Sequence, residues 1–171
     1  AGLEGHPDNV APAQLGGFVV AGRDDDGGFY AVPCPVDPRV GAVVMVPPTP
    51  VSTEQARGLL PATVPHADAA ADAGRAALLV AALAGQPKHL LRATRDYLHQ
   101  DYRRPAMPES LALVDRLRAD GVSAVVSGAG PTVLAFCDGP ATALTASLLE
   151  RCPAGWWASY LALDTAGVRV L

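Results

Sequence analysis

Apolar runs of strand length alternate with segments of helix length along most of the chain. Short β-prone runs at 15–21 and 29–32 are separated by GRDDDGG, whose glycines and aspartates favour a reversing loop, so they predict a hairpin. The three aspartates in that loop lack the ligand spacing of a calcium loop and are interpreted as a solvated turn. A continuous apolar run at 42–46 predicts a buried strand, which the prolines at 47–50 end.

Four helices are predicted in the middle of the chain. The first opens at Ser52-Thr53-Glu54, where a hydroxyl can cap and an acid lies in the first turn. The next are expected at 67–84, which is alanine-rich, at 87–99, which begins with proline, and at 108–119. The last of these carries Leu111, Val114 and Leu117 on one face.

The final third predicts strands at 122–126 and 132–137, a helix at 141–151 and a strand at 156–163. Together with the strand at 42–46 and the helix at 108–119, the order is β-α-β-β-α-β. This order predicts an α+β, ferredoxin-like fold in which three helical segments are inserted after the first strand.

Composition narrows the functional classes. Half of the 171 residues are apolar, which is enough for one full core, and 13 basic residues face 17 acidic ones, for a net charge of −4. That balance disfavours a nucleic-acid partner. No apolar run is long enough to cross a bilayer, so no membrane association is expected. The three cysteines have no CxxC spacing, which disfavours a disulfide framework or zinc knuckle and favours a reducing, cytoplasmic setting.

Two segments with small or polar residues are candidate sites. Residues 4–12 (EGHPDNVAP) place acids, an imidazole and an amide on a stretch whose prolines oppose a continuous helix. The alternative is an Asp/Asn turn with a helix N-cap. Residues 127–132 (SGAGPT) lie between two strands and could form an anion-binding concavity, or simply a glycine hairpin. They match neither a Walker loop nor a dinucleotide fingerprint.

Arginines mark two further candidate segments. Residues 51–57 place hydroxyls at a helix N-terminus and Arg57 about one turn later, and residues 101–105 carry Arg103 and Arg104. Guanidinium groups suit forked recognition of carboxylate or phosphate, although each segment could equally be a cap or a surface ion pair. The four histidines show no metal-ligand spacing.

Taken together, the motifs resemble the homoserine kinases of the GHMP small-molecule kinase family. In family order, the matching stretches are EGHPDNVAPAQLGG (4–17), VSTEQARGLLP (51–61), DYLHQDYRRPAMP (96–108), SGAGPTVLAFCD (127–138) and LDTAGVRV (163–170). The stretch at 4–17 is characteristic of homoserine kinases. The stretch at 127–138 resembles the motif that GHMP kinases share as their third.

The resemblance implies transfer of the ATP γ-phosphoryl group to the side-chain hydroxyl of L-homoserine. Asn9 would contact the substrate near that hydroxyl and orient it, because an amide cannot take a proton at neutral pH. Arg57 and Arg103 would clamp the α-carboxylate, with Thr53 beside them. A missing base is tolerable because phosphoryl transfer depends mainly on positioning and charge neutralisation.

The resemblance also implies ATP and Mg²⁺ as cofactors. Gly128, Gly130 and Pro131 would form the glycine turn beside the phosphates, and Glu4 would help to hold Mg²⁺. L-homoserine and ATP are the expected small-molecule partners, and a homodimer is left open.

One family motif has no counterpart in this sequence, the glycine-rich loop P-x-x-x-G-L-G-S-S-A whose amides cradle ATP. The resemblance therefore implies that residues 1–47 are a remnant of the N-terminal, ribosomal S5 domain 2-like domain and that 48–171 form the C-terminal domain. We expect little or no turnover from this chain alone, because the cradle supplies dominant electrostatic and positioning effects.

Two alternatives remain open on the sequence. One is a GHMP kinase for another small alcohol, such as a mevalonate-like or sugar substrate; Asn9 favours homoserine over these relatives, many of which have aspartate there. The other is a non-enzymatic, ferredoxin-like module that binds an amino acid. Stabilisation against heat by homoserine, but not by Mg-ATP, would favour the module.

Overall fold

The central feature of the protein is a four-stranded antiparallel sheet. A computed structural model describes residues 6–169. The strands of this sheet are β3 (Gly41–Val46), β4 (Ala124–Val126), β5 (Val133–Cys137) and β6 (Trp157–Leu161), and they lie in the order β4-β5-β3-β6. Strand β5 pairs with both β3 and β4 and therefore lies between them. A strand inserted between two strands that are connected through a helix defines a split βαβ unit. The predicted α+β, ferredoxin-like fold is confirmed.

Two helices belong to this unit, α5 (Pro108–Ala119) and α6 (Ala143–Glu150). The bounds of α5 match the prediction, and its predicted apolar face is buried in the main core. Val43 and Met45 of β3 are fully buried in the same core, as expected for an interior strand with a continuous apolar sequence. Hydrophobic burial therefore holds α5 against the sheet.

The hairpin prediction is confirmed by β1 (Phe18–Arg23) and β2 (Phe29–Cys34), which pair antiparallel. Its first strand begins later than predicted, because Leu15 ends a short helix, α1 (Val10–Leu15). Pro12 is compatible with this helix since it lies in the first turn, where backbone N–H groups have no intrahelical acceptor.

Two other predicted helices are present, α2 (Thr53–Gly58) and α3 (His66–Gly85). The Ser52 hydroxyl caps α2 by accepting a hydrogen bond from the Gln55 N–H at 3.0 Å. These helices follow β3 and were expected as insertions into the β-α-β-β-α-β order.

The predicted helix at 87–99 is wrong over much of its length. The chain instead forms a 3-10 turn at Pro87–His89, a four-residue helix, α4 (Leu90–Ala93), and then irregular turns. The Asp96 carboxylate accepts hydrogen bonds from the N–H groups of Leu98, His99 and Gln100. Side-chain acceptors of this kind compete with helical hydrogen bonds, so the chain leaves the helix here.

The expected domain boundary near residue 47 stays a prediction. Strand β3, which precedes that position, is an interior strand of the four-stranded sheet. The hairpin and α1 lie outside this sheet. Within residues 6–169, no helix has the length and apolar character required to cross a membrane.

Candidate functional site

A cleft of about 740 Å³ collects most of the residues singled out from the sequence. It is bounded by the start of α1, by α2 and α3, by the segment 93–103 and by the turn between β4 and β5. The predicted site residues that line it are Asn9, Thr53, Arg57, Arg103, Gly128 and Gly130. The amide and the two guanidinium groups from distant parts of the chain therefore share one cavity.

Among the described residues, one predicted site residue, Pro131, does not line the cleft. Pro131 lines a neighbouring cavity of about 260 Å³, together with Met107 and Trp156. Its carbonyl oxygen accepts a hydrogen bond from the Ser110 hydroxyl at 2.6 Å. Glu4, the predicted magnesium ligand, lies outside the described residues, so that assignment stays a prediction. In residues 6–169 no group of three or more histidine, cysteine, aspartate or glutamate side chains could hold a metal ion.

Arg103 is the most buried charged residue of the cleft, with 9% of its surface exposed. Its Nη1 donates to the carbonyl oxygen of Gly128 at 3.0 Å. Its Nε is buried and has no hydrogen-bond partner in the described part of the chain, which also provides no ion-pair partner for this guanidinium. A buried cation without a counter-charge is costly, and a bound anion would relieve that cost.

The irregular segment before Arg103 is held by side-chain hydrogen bonds. Burial raises the pKa of Asp96, but hydrogen bonds from the Leu98 and Gln100 N–H groups, together with the charge and hydrogen bond of His99, outweigh it and leave the pKa below its ordinary 3.8. The Gln100 Oε1 accepts from the Val126 N–H at 2.6 Å, which ties the segment to the end of β4. Both contacts fix the backbone from which Arg103 projects.

The turn between β4 and β5 closes one side of the cleft. The Ser127 N–H donates to the Thr132 carbonyl at 2.8 Å, and the Gly130 N–H donates to the Ser127 carbonyl at 3.0 Å. Among residues 6–169, the N–H groups of Gly128 and Ala129 have no acceptor. Free, adjacent N–H groups on a tight turn can bind an anion, which supports the concavity interpretation of this segment.

Asn9, Thr53 and Arg57 are exposed residues of the cleft. Asn9 precedes α1, but its side chain makes no capping hydrogen bond. Thr53 is the first residue of α2, and Arg57 lies in its last turn. Capping of α2 by Ser52 leaves the Thr53 hydroxyl available to a ligand.

Sequence reasoning missed two arginines of the cleft, Arg75 and Arg95. Arg75 shares one face of α3 with Asp72 and Leu79, at spacings of three and four residues, and this pattern was the available signal. No comparable pattern marks Arg95. It was predicted to lie within a helix, but that helix does not extend to it in the structure. The Asp72 carboxylate accepts a hydrogen bond from the Tyr97 N–H at 3.0 Å.

The charge of the cleft favours an anionic ligand. The arginines that line it are Arg57, Arg75, Arg95 and Arg103, and the carboxylates are Asp8, Asp72 and Asp96. Asp72 and Asp96 accept backbone hydrogen bonds, whereas none of the four arginines forms an ion pair within the described residues. A ligand carboxylate or phosphate would therefore meet guanidinium donors that no carboxylate of residues 6–169 occupies.

Comparison with known proteins identifies relatives of this chain. The family model "GHMP kinases C terminal" matches residues 75–154. The chain is 55% identical over 169 residues to the homoserine kinase of Streptomyces avermitilis, covering 99% of this chain and 54% of that protein. It is 48% identical to the homoserine kinase of Clavibacter michiganensis, covering 98% of this chain and 54% of that relative.

A solved structure gives the same result for the fold. The crystal structure of homoserine kinase from Cytophaga hutchinsonii superimposes with a TM-score of 0.82 at 26% identity, covering 94% of this chain and 53% of that one. The chain thus spans about half the length of the relatives it matches. The resemblance to homoserine kinases is confirmed, and over residues 75–154 the chain matches the C-terminal domain of GHMP kinases.

Proposed function

We propose that the cleft binds L-homoserine as the acceptor for the γ-phosphoryl group of ATP. The observation that carries the proposal is the buried Arg103 guanidinium, which faces the cleft and has no ion-pair partner within the described residues. The α-carboxylate of homoserine would supply the missing negative charge. Arg57 lines the same cleft and would pair with that carboxylate from the solvent side.

The hydroxyl end of homoserine would lie at Asn9. The Asn9 amide oxygen can accept a hydrogen bond from the substrate hydroxyl and so direct its oxygen towards the γ-phosphorus, but it cannot remove the proton. Thr53 offers a further hydroxyl contact. In the reaction the substrate oxygen bonds to phosphorus as the bond between phosphorus and the ADP oxygen breaks, and the hydroxyl proton is released to water. Alignment of the reacting atoms is therefore the main requirement.

The glycine turn would face the nucleotide phosphates. Gly128 and Gly130 shape the turn, the free N–H groups of Gly128 and Ala129 suit phosphate oxygens, and Pro131 fixes the chain after the turn. Mg²⁺, with Glu4 as a ligand, would neutralise charge on the phosphates. The product would be O-phospho-L-homoserine, an intermediate of threonine biosynthesis in the cytoplasm. A homodimer stays a prediction.

Calorimetric titration with two ligands tests this assignment. L-Homoserine should bind, whereas 3-amino-1-propanol, which keeps the hydroxyl and amine but lacks the α-carboxylate, should bind at least about tenfold more weakly. The physical reason is the loss of the guanidinium–carboxylate pairing. Equal affinity for the two compounds would show that the arginines do not recognise a carboxylate.

Turnover is a separate question, because the sequence has no match to the family's ATP-cradling loop. With Mg-ATP and L-homoserine, the 171-residue protein should form little or no O-phosphohomoserine when followed by ³¹P NMR. Product formation at the rate of an ordinary kinase would contradict this expectation, although it would leave the homoserine assignment intact.

A further inference from the structure

A second cavity, of about 530 Å³, lies beside the cleft and is lined mostly by arginine and lysine side chains. It is formed by α3, the 3-10 turn after it, α4 and α5, with Arg95 following α4. Apart from Leu91, its lining residues in the described chain are Arg75, Lys88, His89, Arg92, Arg95 and Arg118, and no carboxylate is among them. This concentration of positive charge is notable in a chain whose net charge is −4.

In the part of the chain that the structure describes, no carboxylate pairs with the cations that line this cavity. Within residues 6–169, Arg75, Lys88, Arg92 and Arg95 form no ion pair. The Arg75 Nε is buried and has no hydrogen-bond partner in the same part of the chain. The Arg95 guanidinium lies 5.3 Å from the centre of the Tyr97 ring, an attraction that leaves its charge uncompensated. Repulsion among these cations would be relieved by a bound anion.

Arg118 forms a fixed wall of the cavity. Its guanidinium donates to the Leu91 carbonyl at 2.5 Å, to the Thr94 Oγ1 at 2.9 Å and to the Ala124 carbonyl at 3.0 Å. Burial lowers the pKa of Arg118 and the charge of Arg95 lowers it further, while Asp115 acts in the opposite direction. The Asp115 carboxylate itself pairs with Arg104 at 2.8 Å, outside the cavity lining. The local repulsion therefore persists in the folded protein.

We propose that this cavity binds a small anion with two or more phosphoryl groups, at a site separate from the homoserine cleft. Arginine forks and a lysine ammonium are the usual donors to phosphate oxygens, and several linked phosphoryl groups match several converging cations. The volume is within the range of small-molecule sites. Arg75 and Arg95 line both cavities, so an anion bound here would share a wall with the cleft.

Tripolyphosphate is a suitable probe, titrated calorimetrically into the 171-residue protein. We expect one molecule to bind, and expect Arg92→Gln and Lys88→Gln each to weaken binding by about tenfold, since each removes a charged donor that lines only this cavity. Arg116→Gln is the matched control, because it makes the same charge change at an exposed residue that lines neither cavity. It should change the affinity by less than about twofold.

A fourth variant, Arg103→Gln, separates the two cavities because Arg103 lines only the cleft. Tripolyphosphate affinity should be retained in this variant, and circular dichroism establishes that each protein is folded. The proposal is wrong if wild type does not bind the probe, or if Arg116→Gln weakens binding as much as Arg92→Gln. It is also wrong if binding is lost in Arg103→Gln but kept in Arg92→Gln. None of these outcomes concerns homoserine, whose binding is measured separately.

Discussion

The Nη1 of Arg103 donates to the carbonyl oxygen of Gly128 at 3.0 Å, across 25 residues of sequence. One end of this contact is the guanidinium proposed to hold the substrate carboxylate, and the other is the turn proposed to face the nucleotide. Because Gln100 also binds the end of β4 through the Val126 N–H, the segment and the turn are fastened together at two points. A displacement of the turn would therefore displace the guanidinium as well.

The turn itself should be sensitive to substitution at Gly130. Its φ of +89° is unfavourable for other residues, and a Cβ there would lie 2.5 Å from the Met107 Sδ and 2.9 Å from the Val126 Cγ1. Both neighbours are buried, so a shift of either side chain would disturb the packing around it. Gly130→Ala should destabilise the protein by about 2–4 kcal/mol, since overpacking adds to backbone strain. Urea denaturation measures this loss.

Gly128→Ala is the matched control for that substitution. Gly128 has a φ of +59°, but a Cβ there would meet no atom within 4 Å. Only backbone strain applies, so its cost should be about 1 kcal/mol. Equal destabilisation by the two substitutions would show that packing against Met107 and Val126 is not what requires glycine at position 130.

Arg118 should be important for stability as well as for the cationic cavity. Arg118→Ala leaves the carbonyl groups of Leu91 and Ala124 without this donor, and should cost about 2–3 kcal/mol in the free energy of unfolding. Arg116→Ala on the same helix removes an exposed arginine and should change stability by no more than about 0.5 kcal/mol. Similar effects for both would rule out a structural role for the Arg118 hydrogen bonds.

The depressed pKa of Asp96 predicts a pH dependence of stability. A carboxyl group with a lower pKa in the folded state binds fewer protons there than in the unfolded state, so its contribution is fully present above its ordinary pKa of 3.8. That contribution is lost as the pH falls through the folded-state pKa. The Asp96→Asn variant should be less stable than wild type at neutral pH, because an amide nitrogen replaces one acceptor oxygen.

Urea denaturation at a series of pH values measures the difference between wild type and Asp96→Asn. The difference should be constant above about pH 5 and should shrink below the ordinary pKa as the carboxylate of the wild type protonates. A difference that stays constant into the acid range would mean that the pKa of Asp96 is not lowered by folding.

Local sequence signals were sufficient to predict the β-α-β-β-α-β order of the central fold. Helix α5 begins at Pro108, a favourable first-turn residue, and it ends just before Asp120-Gly121, so its bounds follow from its termini. The helix predicted at 87–99 was wrong because Asp96 offers its own hydrogen-bond acceptors to the backbone. Helix α1 was obscured by Pro12, which is tolerated only because of its position in the first turn.

The candidate site was predictable only in part, because local sequence patterns do not show how separate elements pack around a cleft. Asn9, Arg57 and Arg103 belong to continuous motifs, and their convergence on one cleft follows from the family resemblance. The spacing of Arg75 from Asp72 and Leu79 on α3 offered a local signal, whereas no local pattern marks Arg95, which enters the cleft from the segment after α4. The cationic cavity likewise draws its residues from several separate elements.

The two arginines proposed for homoserine should differ in their contributions. Arg57 is exposed, so water and salt screen its interaction with a carboxylate, and Arg57→Gln should weaken L-homoserine binding by only about two- to fivefold. Raising the ionic strength should reduce the contribution of Arg57 further. Calorimetric titrations at low and high salt measure both effects, and a loss as large as that of Arg103→Gln would contradict the assigned difference.

The most direct test of the proposed function compares L-homoserine binding to wild type, Arg103→Gln and the charge-matched Arg116→Gln by titration calorimetry. If the buried guanidinium holds the substrate carboxylate, Arg103→Gln will bind at least about tenfold more weakly, while Arg116→Gln will match wild type. Undiminished binding of L-homoserine by folded Arg103→Gln would contradict the proposal.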